Sequence, residues 1–410
     1  GSFVRKLVCC VQGVFLRRFP SLRMSPSLRN FLRTAGPPAL IAGVLAVVLP
    51  WAWTVAVIAA ALVFAVITTR PMVGWALIVA TYPFIYLQLF VGATINIPYV
   101  DVFASATFLA VALRMVIDRW RGVRGAFTLP TLREWTGLVP FLVFLVVGAL
   151  SLINVGHLGG GIKFLARPLT FFYLAYLILP MVCINTPRRL FTTLRILFAV
   201  GGIAAAMGAW ALVFPPDPGA FRRAVPIIMH GMTPLGTNHN LIAEVLVSVI
   251  PIGILLAAYA SERARRWYVV ATIAYALINL LTFSRNGWLT LTVEVAVLLA
   301  ALARTRGVSW RRIAMTAAPI VLAAGVAIGV FSTTSIARSS NNNRLRLTQI
   351  ALEQFRAHPI VGAGVGTFTE AVSRDRWYIA DFGKPQEAHG LVQKLLAETG
   401  ILGLLAFVAL

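Results

Sequence analysis

His389 closes a long polar stretch, Ser332 to Gly390, just where the chain enters its last apolar run. An imidazole there, with Glu387 two residues before it, has the chemistry of a general base, because it takes up a proton near neutral pH. By itself a lone histidine is as readily a structural hydrogen-bonding group. Arg285 stands in a four-residue link, Ser284-Arg285-Asn286-Gly287, between two apolar runs. A charge so placed either serves a function or snorkels to headgroups, or pairs with Glu244 or Glu294 in neighbouring runs. Arg222 and Arg223 precede the turn-rich HGMTPLGTNHN and the helix expected from about Asn240. Guanidinium groups grip phosphate oxygens in pairs, and a helix N-terminus adds amide donors for the same anion. Lipid headgroups are the competing ligand for these two arginines.

Other chemistries find little support in the residues. No His or Cys lies near His389 at metal-ligand spacing, and the outer loops lack an Asp-x-Asp pair, so metal-independent chemistry is expected. Gly362 to Gly366, GAGVG, has no strand before it and no Lys-Ser/Thr after it, and reads as a turn rather than a phosphate loop. Cys9, Cys10 and Cys183 show no disulfide or metal spacing, although the first two could be acylated. Gly1 and Ser2 read as a cloning remnant.

The elements that must position these groups are membrane helices. Of 410 residues 59% are hydrophobic and 12% charged, which excludes a soluble domain. One domain over residues 1–410 is expected, all-α, with about twelve transmembrane helices (two of them a hairpin over 38–69 broken by Pro50). The other runs are 72–91, 100–117, 137–155, 168–184, 191–214, 240–259, 267–283, 288–303, 313–331 and 391–410. Residues 3–36 read as a basic amphipathic segment on the cytoplasmic leaflet. Alternation from there gives basic inner loops, as the positive-inside rule requires, and accounts for most of the 36 Lys and Arg without nucleic acid as a partner. All five histidines then fall on the outer face. So does the large loop 332–390, in which LRLTQIALEQF has the spacing of an amphipathic helix that Pro359 would stop.

Three stretches together carry a resemblance: the SRNG link, RLRLTQIALEQFRAHPIVGAGVGTF from Arg344, and EAHGLVQKLLAETGILGLLAF from Glu387. They resemble the O-antigen ligase and polymerase superfamily, in detail from about Arg222 onward and only by topology before it. The resemblance implies a GT-C type membrane glycosyltransferase of the bacterial inner membrane, N-terminus cytoplasmic and active site periplasmic. It would transfer glycan from undecaprenyl pyrophosphate to lipid A-core with inversion and without a cofactor. It maps the family's loop histidine to His389 and its short-link arginine to Arg285. The earlier loop arginine maps to Arg222 or Arg223, a choice left open. Lys163, Arg167 and Arg346 are expected as further contacts to the diphosphate. Gly390 departs from the asparagine that often follows the family histidine. A polymerase or protein O-oligosaccharyltransferase of the same superfamily is the nearest alternative. The end of the chain at Leu410 weighs against the protein-glycosylating branch. A transporter or flippase of an anionic lipid is the alternative of another class.

Overall fold

Helices account for most of the chain, as an apolar sequence in a membrane requires, since each helix satisfies its own backbone hydrogen bonds. The computed structural model describes residues 51–91, 95–122, 134, 135, 137–156, 158–166, 171, 173–215, 221–229, 231–306 and 335–410, with the isolated positions 311, 315, 325 and 329. The chain divides into two units, Gly1–Val66 and Ile67–Leu410. Of the first, the described part is the apolar helix α1 (Trp51–Thr69), which continues into the second.

In the second unit α2 (Pro71–Thr81) begins with Pro71 in its first turn, where a missing N–H costs nothing. It stops after eleven residues rather than running through the expected span 72–91. The reason is local. Tyr82 is still helical in conformation, but Pro83 has no N–H to continue the ladder, and the chain turns into an antiparallel hairpin of β1 (Gln88–Val91) and β2 (Ile95–Pro98), with Gln88 opposite Pro98. This one small sheet among the described residues interrupts a chain that is otherwise helical, in keeping with the all-α expectation.

The chain continues as α3 (Tyr99–Trp120), α4 (Leu138–Ser151), the short α5 (Leu158–Phe164), a π-turn at Leu174–Ile178 leading into α6 (Leu179–Cys183), and α7 (Pro187–Val213). Then come α8 (His239–Tyr259), α9 (Glu262–Leu281) and α10 (Arg285–Arg306). The polar segment folds as α11 (Ser335–Ala357), α12 (Phe368–Arg374) and α13 (Arg376–Phe382), and α14 (Leu391–Ala409) completes the described chain.

Among the described residues α3, α7, α8 and α14 are long and apolar enough to cross a membrane, and Val57–Thr69 with Pro71–Thr81 makes a fifth if the pair is one broken span. The expected runs 137–155 and 168–184 are shorter helical pieces. In α9 and α10 the charges of Arg263, Arg265 and Arg266, and of Glu294, Arg304 and Arg306, shorten the apolar length. The segment 3–36, residues 38–50 of the expected hairpin and most of the expected span 313–331 lie outside the described residues. Large apolar side chains such as Val139, Val213, Val297 and Val408 are more than half exposed. A surface of that kind belongs in lipid, and the chain is a membrane protein.

Two buried clusters hold the parts that matter here. Phe198, Met207, Ile242, Leu246, Val249 and Tyr275 pack α7, α8 and α9 together. Leu347, Ile350 and Ala351 of α11 pack against Phe368, Val372, Tyr378 and Ala397, so this polar segment has a core of its own, anchored on α14.

Candidate active site

The corner between α9 and α10 is only three residues long, and its geometry places Arg285. Phe283 adopts a left-handed conformation, φ 56°, rare for a residue with an aromatic side chain. Its ring lies against Phe221 and Trp288, with centroids 4.8 Å and 5.9 Å away. Ser284 caps α10, its Oγ accepting from the N–H of Gly287 at 3.2 Å, and the Trp288 indole donates to the Leu280 carbonyl at 3.0 Å. Arg285 is thereby the first residue of α10 and Asn286 the second.

A backbone bond from the Ala224 N–H to the Leu281 carbonyl, 2.8 Å, fastens the segment that carries Arg222 and Arg223 to the same corner. Arg222 is exposed; Arg223 is half-buried, and burial pushes its pKa down. A few residues on, Asn238 caps α8 by accepting from the Asn240 N–H at 3.0 Å, which sets His239 at the helix start.

From the other direction α11 brings Arg344 and the start of α14 brings His389. A cavity of about 250 Å³ opens between them, lined by Asn286, Arg344, Thr348, His389, Gly390 and Gln393. Both α10 and α14 present their N-terminal turns to it, the ends that carry the partial positive charge of the helix. Space beside Gly390 is filled by the Gln393 amide, which stands where a side chain at 390 would begin.

Arg344 is the hub of the charges. Burial, and after it the charge of Arg285, push its pKa down. His389 has its own pKa lowered first by burial and then by Arg344. His239 interacts electrostatically with both Arg223 and Arg344. Among the described residues no acidic side chain forms an ion pair with Arg223, Arg285 or Arg344, so neither Glu244 nor Glu294 neutralises Arg285. Three guanidinium groups without a counter-charge are costly unless an anion joins them. Nor do the described residues hold a group of three His, Cys, Asp or Glu arranged for a metal ion.

Of the residues expected from the sequence, His389 lines the cavity, Arg285 precedes the lining residue Asn286 and interacts electrostatically with Arg344, Arg223 interacts with His239, and Arg222 is exposed. Arg346 does not join them. Two residues along a helix turn the side chain by about 200°, so Arg346 leaves α11 on the far side from Arg344. There it pairs with Asp375, lies 3.9 Å from Glu353 and stacks over Trp377. Lys163 is exposed on α5 and does not line the cavity, and Arg167 lies outside the described residues. The residues that sequence reasoning passed over are Arg344, His239, Asn286 and Gln393. The phase of α11 was the available signal for the first, since Leu347, Ile350 and Ala351 are its buried face and Arg344 borders it.

The helix that follows His389 is itself unusual. At Gly400, φ 63°, α14 is interrupted, and the interruption is filled by the 359–364 loop. The N–H groups of Ala363 and Gly364 donate to the carbonyls of Ala397 and Glu398, and those of Ile401 and Leu402 donate to Pro359 and Ile360. The buried Glu398 carboxylate also accepts from the Phe368 N–H at 3.1 Å. GAGVG is thus a turn, as expected, but one that repairs a broken helix. A Cβ at Gly362 would lie 2.3 Å from the Glu398 backbone, and one at Gly400 would lie 2.4 Å from the Ile360 carbonyl oxygen.

Residues 268–408 match the family model described as O-antigen ligase. That stretch is O-antigen ligase-like. It contains Arg285, Arg344 and His389 and both helices whose N-termini open on the cavity, whereas Arg223 and His239 lie before it. Members of the family are glycosyltransferase-like enzymes, with lipid-linked glycans as their substrates in general. No curated protein matches the chain.

Proposed function

We propose that the protein is an O-antigen ligase that moves a glycan from undecaprenyl pyrophosphate to lipid A-core at the periplasmic face of the bacterial inner membrane. The observation that carries the reading is the cavity that puts His389 beside Arg344 and the first turn of α10, among cations with no counter-charge. A diphosphate supplies the missing charge, and an imidazole supplies the base. The remaining architecture belongs to the same proposal: about twelve helices of the GT-C type with the N-terminus inside.

The acceptor hydroxyl enters beside His389, whose lowered pKa leaves the ring neutral and able to take a proton. Among the described residues no protein group hydrogen-bonds that ring. As the hydroxyl oxygen bonds to the anomeric carbon, its proton passes to the imidazole. The bond from that carbon to the phosphate oxygen breaks on the opposite side, and its electron pair leaves with the lipid pyrophosphate. Attack opposite to departure inverts the anomeric centre. The leaving group gains one negative charge, which Arg285, Arg344 and Arg223 stabilise electrostatically. The same binding removes the arginine field from His389, so the base strengthens when the donor is present. A divalent cation is opposed by this cluster, and none is needed for a leaving group already held by guanidinium groups.

Complementation of a ligase-null Gram-negative strain tests the reading, with lipopolysaccharide read on a gel. The wild type should restore the ladder, and His389→Ala and Arg285→Ala should not at equal expression. A full ladder with His389→Ala refutes the assignment of the base.

A further inference from the structure

On the side of α11 away from His389 lies a second and larger cavity, about 640 Å³, walled by α11 and α13. Asn342, Arg346 and Gln349 reach it from α11, spaced by four and three residues so that they share one stripe of the helix. Trp377, Asp381 and Phe382 reach it from α13. The volume is that of a small-molecule site, which runs from roughly 300 to 1,000 Å³. Its chemistry is unlike that of the first cavity.

Charge separates the two. Arg346 is already compensated by Asp375 and Glu353, and Asp381 adds a further carboxylate at the rim. A phosphate or an anionic headgroup therefore gains little there and meets Asp381. What the walls offer is an indole left 53% exposed, amides that both donate and accept, and a carboxylate that accepts. In addition the Arg346 Nε is buried without a hydrogen-bond partner among the described residues. An apolar flat face ringed by groups of both hydrogen-bonding senses matches a pyranose: its C–H face stacks on the indole while its hydroxyls reach amide, carboxylate and guanidinium. Neither a lipid tail nor an inorganic anion uses both halves of that surface.

We infer that this cavity is a glycan-binding subsite, which holds sugar residues of one substrate oligosaccharide at a distance from its reacting end. The identity of the ligand as a glycan rests on the transferase reading; the site itself rests on the second cavity. The two cavities lie on opposite sides of α11, a helix about 10 Å thick, so an oligosaccharide of a few residues is long enough to reach from one to the other. Binding on both sides of α11 would help to orient the glycan while contributing no atom to the reaction.

The test uses the full chain in nanodiscs and two water-soluble probes. These are the core oligosaccharide and the O-polysaccharide, each released by mild acid from the lipopolysaccharide of the complemented strain. Saturation-transfer NMR should show one of them bound, with affinity at least tenfold lower for Trp377→Ala, partly retained by Trp377→Phe and reduced by Gln349→Ala. The phenylalanine and glutamine variants keep the test valid if Trp377→Ala fails to fold. Inorganic pyrophosphate should not displace the probe from the Trp377 site. Binding of neither oligosaccharide, equal binding by all three variants, or displacement by pyrophosphate overturns the subsite. Ligation by the wild type and by His389→Ala is scored in parallel. If the wild type ligates and His389→Ala does not while binding ignores Trp377, the subsite falls and the transferase stands. If the wild type does not ligate while binding needs Trp377, the transferase falls and the sugar site stands.

Discussion

Replacing Arg344 with glutamine removes one charge from the hub of the site while leaving a polar though shorter side chain, and two separable effects follow. The leaving diphosphate gains one unit of negative charge during the reaction. A guanidinium about 5 Å from that charge, at an effective dielectric constant of about 20, stabilises it by roughly 3 kcal/mol. Turnover should therefore fall on the order of a hundredfold, in the range seen when one oxyanion donor is lost. The second effect concerns pH. Arg344 holds the His389 pKa down. Activity needs neutral His389 and is lost as pH falls through that pKa, so removing Arg344 raises the pKa and moves the acid limb of kcat/KM to higher pH. The assay is single-turnover ligation in nanodiscs with lipid-linked donor and lipid A-core, from about pH 5 to pH 8, the interval in which histidine titrates. Arg374→Gln, on the exposed side of α12 and paired only with Glu370, serves as control and should behave as wild type. Unchanged turnover in the Arg344 variant, or a fall with the acid limb fixed, would refute the placement of Arg344 against both diphosphate and His389.

Arg223→Gln should lower turnover tenfold or more and Arg222→Gln much less, because Arg223 is half-buried and interacts with His239 while Arg222 is exposed; equal losses by the same assay would show that Arg222 serves the site as well. Ser284→Ala removes the cap of α10 and should cost about 1 kcal/mol in denaturant unfolding, with a further loss of turnover as Arg285 loosens. Unchanged stability would mean that the corner is held without it. Gly400→Ala combines a left-handed backbone with a clash against the Ile360 carbonyl and should destabilise by about 3 kcal/mol or more, read as a loss of monodisperse protein on gel filtration. A well-behaved Gly400→Ala protein would disprove the account of the α14 interruption.

Residues 344–357 show how far local pattern reaches. The apolar positions 347, 350 and 351 announce an amphipathic helix, and the structure buries those three. The same helical period separates Arg344 from Arg346 by more than half a turn, so the sequence already forbids both from serving one cavity. Which of them serves it depends on where α14 lands, and that is a contact between residues more than forty positions apart. The helix at 71–81 shows the opposite case. Apolar content alone extends it to residue 91, but Pro83 and the paired QLFV and INIP strands end it early.

What the sequence determined was membership of the membrane, the helical class, the amphipathic face of the 344–357 helix and the polar residues available to a site. Each of these follows from composition or from a period shorter than one helix. Only the tertiary structure decided that Arg344 joins His389 while Arg346 turns to Asp375, that Arg223 rather than Arg222 enters the cluster, and that GAGVG fills a break in α14. The physical reason is common to all three. Which of two neighbouring side chains meets a distant partner is set by helix phase, by burial and by the long-range backbone bonds at Ala224 and Ala363, none of which has a local signature.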